Sequence, residues 1–290
     1  MYPKPIESYF APNSLDEALR LLGAHREAKV IAGGQSLMPM LKLRLVEPKY
    51  LIDLNRIAGL SEFRETGETI TVGAMVRHAD MAANDLVGRA LPLLRDAARV
   101  IGDPQIRNRG TIGGSLAHAD PAADYPTATL ALDARMIVRG VNGARRTIPA
   151  RDFLTGPLST ALCADELLTE IEFPKPPARA GGAYLKHALV AGDFAVISIA
   201  VQLTLDHAGR CARAAVAIGG LPAGPACPQG IADLLEGTAL DAATLRRAGQ
   251  AAAQAVEVAS DARASSTYRR NLIQSYLPQA VELAKRRAEG

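Results

Sequence analysis

The sequence predicts an α+β protein, and three observations carry that prediction. Runs with a period of two and runs with a helical period are interspersed up to residue 174. A stiff Pro174-Lys175-Pro176-Pro177 stretch then interrupts the chain. Beyond it come three strand-like runs in succession, followed by helical runs only, which is the segregation that marks an α+β domain.

Taken in order, Pro3 and Pro5 open an extended arm. Ser14-Leu15-Asp16-Glu17 has the spacing of a capping box, and Leu15, Ala18, Leu19 and Leu22 fall on one helical face. Gly23 is the expected stop. Lys29–Ala32 reads as a strand, Leu37–Leu45 as a short helical turn ended by Pro48, and Tyr50–Leu54 as a strand. In the next part Thr69–Ala74 alternates as a strand and His78–Ala83 reads as a helix. Gly88–Ile101 reads as one helix with Leu91, Leu94, Ala98 and Ile101 in phase and Gly102 as its stop. Ala123–Leu132 reads as a helix with Pro126 in its first turn. Arg135–Arg139, Arg145–Ile148 and Glu166–Phe173 read as strands. After the proline stretch, Tyr184–Ala188, Ala195–Leu205 and Cys211–Ile218 form an antiparallel meander with a turn over Asp206–Arg210. Gln229–Leu235, Ala242–Ala259 and Ser265–Ala288, the last with a kink at Pro278, form a helical layer on it. The domains are therefore drawn at 1–175, with lobes of about 1–56 and 57–175, and at 178–290.

The 290 residues are 48% hydrophobic, enough for a sizeable core, and the net charge of +3 is too mild for a nucleic-acid footprint. Arg145-Arg146 reads as a solvated turn and Lys285-Arg286-Arg287 as a helix end. Cys163, Cys211 and Cys227 are scattered with no Cys-x-x-Cys pair, so cysteine ligation of a metal or iron–sulfur cluster is not expected and free thiols are. MYPKPIESYF has no apolar signal core or twin arginine, and no run reaches the ~18 apolar residues of a membrane span. These features give the expectation of a cytoplasmic protein.

The chemistry concentrates in two stretches. GDPQIRNRGTIGGSLAHADPAAD, from Gly102 to Asp124, is too polar and too rich in Gly and Pro for a core helix, and too long for an idle turn. At its centre are Thr111, Ile112, Gly113, Gly114 and Ser115. Two adjacent glycines permit positive φ, and consecutive N–H groups in one concavity form an anion nest, with Thr111 and Ser115 hydroxyls at the rim. A plain Gly-Gly turn between strands is the alternative. The second stretch, KVIAGGQSL, repeats the construction: an apolar run leads into Ala32, Gly33, Gly34, Gln35 and Ser36. Two such loops point to one ligand with two phosphates. Neither is a P-loop, which needs Gly-Lys-Ser/Thr, and neither has the G-x-G-x-x-G spacing of a dinucleotide fingerprint. His118 and Asp120 lie at i and i+2 with no adjacent nucleophile, so loop hydrogen bonding, not catalysis, is their expected role.

AGGQSL followed by IGDPQIRNRGTIGGSLAHADPAADYP resembles the FAD-binding medium subunit of the molybdenum hydroxylases, of the carbon monoxide dehydrogenase medium chain and xanthine dehydrogenase FAD-domain type. The resemblance spans essentially the whole chain. It implies a two-lobed FAD-binding domain of the vanillyl-alcohol-oxidase/PCMH type, followed by a smaller C-terminal domain. It implies non-covalent FAD on Ala32–Ser36, Thr111–Ser115 and Asp124, whose carboxylate is expected to accept hydrogen bonds from cofactor hydroxyls; an N-cap role for Asp124 is the alternative. It places Leu167 or Leu168 near the cofactor, with Leu168 as the expected contact, and sets Lys186 beside the ring's N1–C2=O edge, where a cation stabilises reduced flavin. It implies no catalytic residue in this chain, and a molybdenum cofactor and [2Fe–2S] clusters only in large and small partner subunits, assembled as a dimer of heterotrimers. The function implied is an oxidoreductase subunit passing electrons from those clusters to an external acceptor. A self-contained FAD-dependent reductase or oxidase and a non-catalytic assembly subunit are the alternatives. The chain departs from its relatives at Leu189 and Val190, where they commonly carry arginine, and at Gln35, where they often carry histidine. It lacks the cysteine-rich insertion of the benzoyl-CoA-reductase branch.

Overall fold

The structure is a computed structural model and describes residues 4–290. Pro3 of the expected arm lies outside the described residues. The first lobe contains β1 (Ser8–Phe10), α1 (Leu15–Ala24), β2 (Ala28–Ile31), α2 (Leu37–Lys42) and β3 (Tyr50–Asp53). Its strands form a parallel sheet in the order β1-β3-β2, with Ser8 and Ala28 both paired to Tyr50. Ser14 caps α1 by accepting from the Glu17 N–H, but the Glu17 carboxylate accepts from the Asn13 amide, one residue outside the expected box. Gly23 does not stop this helix; α1 continues to Ala24. Ala18, Leu19 and Leu22 bury its inner face against Ile52, Leu54, Met75 and Leu167.

The second lobe runs through β4 (Phe63–Glu65), β5 (Thr69–Gly73), α3 (His78–Ala83), α4 (Asp85–Ala90), α5 (Pro92–Arg99), α6 (Pro104–Arg107), α7 (Ile112–His118) and α8 (Asp124–Ala131). It continues with β6 (Arg135–Gly140), β7 (Arg145–Pro149), α9 (Ala150–Phe153), β8 (Leu154–Gly156), β9 (Ser159–Thr160) and β10 (Glu166–Pro174). Five strands pair antiparallel in the order β4-β5-β10-β6-β7, and β8 and β9 form a separate hairpin. Ile70, Val72, Met136, Val138, Ile171 and Phe173 turn one face of the sheet into the core, under α5 and α8. The single helix expected over Gly88–Ile101 is two helices. Pro92 has no N–H to donate, so it starts α5, and Leu91 leaves helical geometry at φ −131° and ψ 57°.

The C-terminal part holds β11 (Ala180–His187), β12 (Ile197–Leu205) and β13 (Cys211–Gly219), then α10 (Ile231–Leu235), α11 (Ala242–Ala255) and α12 (Ser266–Glu289). The strands form the expected antiparallel meander, order β11-β12-β13. α11 ends four residues earlier than the pattern suggested, and α12 runs through Pro278 without interruption. One face of the meander carries the helical layer. The other joins the second lobe's core through Tyr184, Ala200 and Ala217. Across this seam Arg287 pairs with Asp96 at 2.5 Å and donates to the Gly182 carbonyl at 2.7 Å. β11, which carries Lys186, is thereby fixed against α5. Among the described residues no helix is long and apolar enough to cross a membrane.

Candidate functional site

The first glycine loop leaves the carboxyl end of β2, where ligands of open parallel sheets bind. Gly34 sits at φ +76°, a conformation that L side chains resist. The loop turns without using its own donors: among the described residues the amides of Gly33, Gly34, Gln35 and Ser36 donate to no protein acceptor, and Ser36 makes no side-chain cap on α2. Four consecutive N–H groups left in this way are available to an anion, as in a backbone nest.

The second glycine stretch differs from expectation. It is neither a turn between strands nor an open nest, but the first turn of a helix, α7. Thr111 is the N-cap and its hydroxyl accepts from the Gly114 amide at 3.1 Å. The Ile112 amide donates to Val76, that of Gly113 to Ala74 at 2.8 Å, and that of Ser115 to the Thr111 carbonyl. Four of the five amides predicted to form a nest here are therefore spent on the protein; among the described residues the Thr111 amide donates to no protein acceptor, and it remains unspent together with the Thr111 and Ser115 hydroxyls. Positive φ is absent from Gly113 and Gly114. Gly113 is glycine for packing, since a Cβ would lie 2.5 Å from that of Ala74.

The two loops meet. A Cβ on Gly33 would lie 2.3 Å from the Arg109 carbonyl oxygen and 2.6 Å from the Gly110 Cα. A Cβ on Gly114 would lie 2.8 Å from the Thr111 hydroxyl and 3.4 Å from the Ala32 methyl. The two loops therefore lie against one another, not on opposite sides of the molecule.

Asp124 and Lys186 form a second group. Their side chains are 5% and 4% exposed, and Lys186 Nζ lies 2.9 Å from Asp124 Oδ2. Tyr184 donates to Asp124 Oδ1 at 2.7 Å, and Lys186 also donates to the Val100 carbonyl at 3.1 Å. Burial pushes the Asp124 carboxyl above its ordinary range, against the opposing pull of Lys186 and Tyr184. The N-cap alternative fails: Ala123 occupies that position and Asp124 is the first helical residue. Tyr125, next to Asp124, packs its ring 5.2 Å from that of His78, whose Nε2 lies 2.5 Å from where a Cβ on Gly110 would be. This pair of rings links the ion pair to the base of the second loop.

Leu168 points into the second lobe's core, while Leu167 belongs to the first-lobe cluster against which Ala32 packs. Of the two leucines, Leu167 is the one that shares a cluster with Ala32 of the first loop. Leu189 and Val190 are exposed, 55% and 63%, just beyond β11. Asp120 accepts from the Ala122 amide at 2.8 Å, closing a local turn as expected, with His118 outside it. Among the described residues no group of three or more metal-ligating side chains is assembled.

Sequence reasoning missed three residues here. Tyr184 was detectable, because it stands two positions from Lys186 on one strand and so shares its face. Asn55 and Arg77 carry no local signal. Asn55 donates to the Ala32 carbonyl at 2.9 Å, and Arg77 donates both to Asn55 Oδ1 and to the Arg109 carbonyl.

Residues 4–176 match the family model described as the FAD binding domain in molybdopterin dehydrogenase, and residues 183–284 that of the CO dehydrogenase flavoprotein C-terminal domain. The chain is 39% identical to the carbon monoxide dehydrogenase medium chain of Hydrogenophaga pseudoflava, over 98% of each chain. It is 37% identical to subunit alpha of the 6-hydroxypseudooxynicotine dehydrogenase complex of Paenarthrobacter nicotinovorans, over 98% of this chain and 96% of the relative. Its structure superposes on a chain of quinoline 2-oxidoreductase from Pseudomonas putida 86 with a TM-score of 0.94, at 33% identity and full coverage of both.

Proposed function

This chain belongs to the FAD-binding family of the molybdopterin dehydrogenases, and from that premise we propose that it is the flavoprotein subunit of a heteromeric molybdenum hydroxylase. The observation that supports FAD here is the set of four consecutive amides at Gly33–Ser36 that are unbonded among the described residues, in a loop pressed against Arg109-Gly110 at the entry to α7. A diphosphate is doubly charged and is best held by several such donors at once. In this reading residues 1–175 are the cofactor domain and 178–290 the C-terminal domain. Ala32–Ser36, Thr111 and Ser115 hold the diphosphate, with Ile112, Gly113 and Gly114 shaping the wall beside it. Asp124, Lys186 and one leucine of the Leu167-Leu168 pair lie toward the ring.

The chemistry that FAD supplies when bound is electron carriage between the [2Fe–2S] clusters of a small partner and an external acceptor, while substrate is hydroxylated at a molybdenum cofactor on a large one. This chain's residues bind, orient and set the local field. Lys186 does so as half of an ion pair, so its field at the site is offset by Asp124. The proposed assembly is a dimer of heterotrimers in the cytoplasm.

The purified chain is expected to bind FAD one to one and release it intact on denaturation, measured by flavin absorbance. Pull-down from the host is expected to bring a large molybdenum-binding and a small iron–sulfur chain. A folded, colourless protein that cannot be reconstituted with FAD would refute the assignment. Rapid NADH turnover by the chain alone would favour a self-contained reductase.

A further inference from the structure

The two loops come from segments some eighty residues apart and are carried by different elements: the exit of β2, and the cap of α7. An anion gripped from both sides needs their spacing to be fixed. Backbone contact at Gly33 prevents closer approach but does nothing to stop the loops drifting apart.

A continuous line of side-chain bonds spans the gap. From the first loop, the Ala32 carbonyl accepts from Asn55 Nδ2 at 2.9 Å. Asn55 Oδ1 accepts from Arg77, and the other Arg77 nitrogen donates to the Arg109 carbonyl, just before the second loop. Both ends of this line are anchored. The Asn55 backbone N–H donates to Asp53 Oδ1 at 2.8 Å, as does its side-chain amide, and Tyr9 donates to Asp53 Oδ2. Arg77 lies in the segment that is bridged to Thr111, with the His78 amide donating to the Gly110 carbonyl at 3.1 Å and the Ile112 amide to Val76. Asparagine suits the middle position because it offers a donor to one side and an acceptor to the other. Arginine suits its own because a planar fork reaches two acceptors at once, which a lysine cannot do.

We propose that Asn55 and Arg77 form a strut that holds the two glycine loops at the spacing a diphosphate requires. They are positioning residues, acting through the loops and not on the ligand. The proposal rests on the FAD reading given above.

The test uses the full chain stripped of flavin and titrated with FAD. Asn55→Ala and Arg77→Ala are each expected to raise the FAD dissociation constant roughly tenfold or more, the scale of one or two hydrogen bonds. The double variant is expected to be little worse than either alone, because the two residues act in series. Arg77→Lys keeps the charge but breaks the fork, so it is expected to lose as much as Arg77→Ala. In all variants the reduction potential of the flavin that does bind is expected to equal that of the wild type, since Asp124 and Lys186 are untouched. Thermal unfolding of the flavin-free protein checks that the variants fold, and Arg77→Lys serves if the alanine variants do not. Wild-type affinity in Arg77→Lys, additive losses in the double variant, or a shifted potential would each overturn the strut. A wild-type chain that binds no FAD would instead overturn the reading on which it rests.

Discussion

Replacing Lys186 by methionine removes a charge from a site where its partner cannot escape. Asp124 is 4% exposed and, among the described residues, accepts from Lys186 and Tyr184 only. Methionine keeps most of the stem's packing, so the change isolates the ammonium group. Breaking one partner out of a buried pair costs about 3–5 kcal/mol, because the survivor stays buried and uncompensated. Even 3 kcal/mol lowers Tm by roughly 6–12 °C in a chain of this general size. The loss depends on pH, with a sign set by Asp124. Its folded carboxyl already titrates above the ordinary range because burial outweighs its partners, and removing Lys186 removes the main opposing influence. A carboxyl raised in the folded state stabilises most below its unfolded value and loses that contribution as pH rises through the folded one. The deficit of Lys186→Met is therefore smaller at about pH 5, where Asp124 can take up a proton, than at about pH 8. Differential scanning calorimetry of wild type and variant at both pH values reads it directly. In flavin-loaded protein the same logic lowers the reduction potential at the higher pH, where a bare carboxylate replaces a neutral pair. A deficit equal at both pH values, or larger in acid, would refute the argument.

Two further outcomes are expected. Gly114→Val places its first side-chain carbon 2.8 Å from the Thr111 hydroxyl and 3.4 Å from Ala32, in the gap between the loops, so flavin content after purification should fall to near zero while the protein stays folded. His78 is buried beside Arg77 and Arg107, which holds its imidazole down to about 3, so as pH falls below its unfolded value of about 6.5 the protein should lose up to about 1.4 kcal/mol per pH unit; His78→Gln should flatten that slope in acid denaturation curves.

The elements with clean periodicity were legible: the alternation in Thr69–Ala74, Glu166–Phe173 and the meander reappears as β5, β10 and β11–β13. What escaped was decided by single residues or distant partners. Leu91, Leu94 and Ala98 keep helical phase across Pro92, and all three are buried, so periodicity saw one apolar face where the backbone breaks. α7 was hidden because Gly-Gly reads as loop, although Thr111 at the cap and Ile112 with Leu116 one turn apart were its signature. β1 has three residues and takes its place from pairing with β3, forty-two positions away, which no local window contains. At the site, residue types were readable and pairings were not. Lys186 and Asp124 were each identified singly, yet their 2.9 Å contact spans sixty-two positions and changes a lone cation into half of a neutral pair.

The same constraint explains why two dipeptides that look alike in sequence behave differently in space. The first glycine of each pair, Gly33 and Gly113, is pressed against backbone from another segment, at Arg109–Gly110 and at Ala74. Neither has room for a methyl group, so both are glycine because the fold closes there. The second glycines serve the gap. Gly34 takes a conformation that other residues resist, and that turn leaves its neighbours' amides without an acceptor among the described residues. Gly114 gives its own amide to Thr111 and contributes space instead. In the proposed diphosphate site one loop would thus supply donors and the other mainly room and hydroxyls. The first glycines bring the two loops together, and the second glycines decide what each loop leaves exposed to the other.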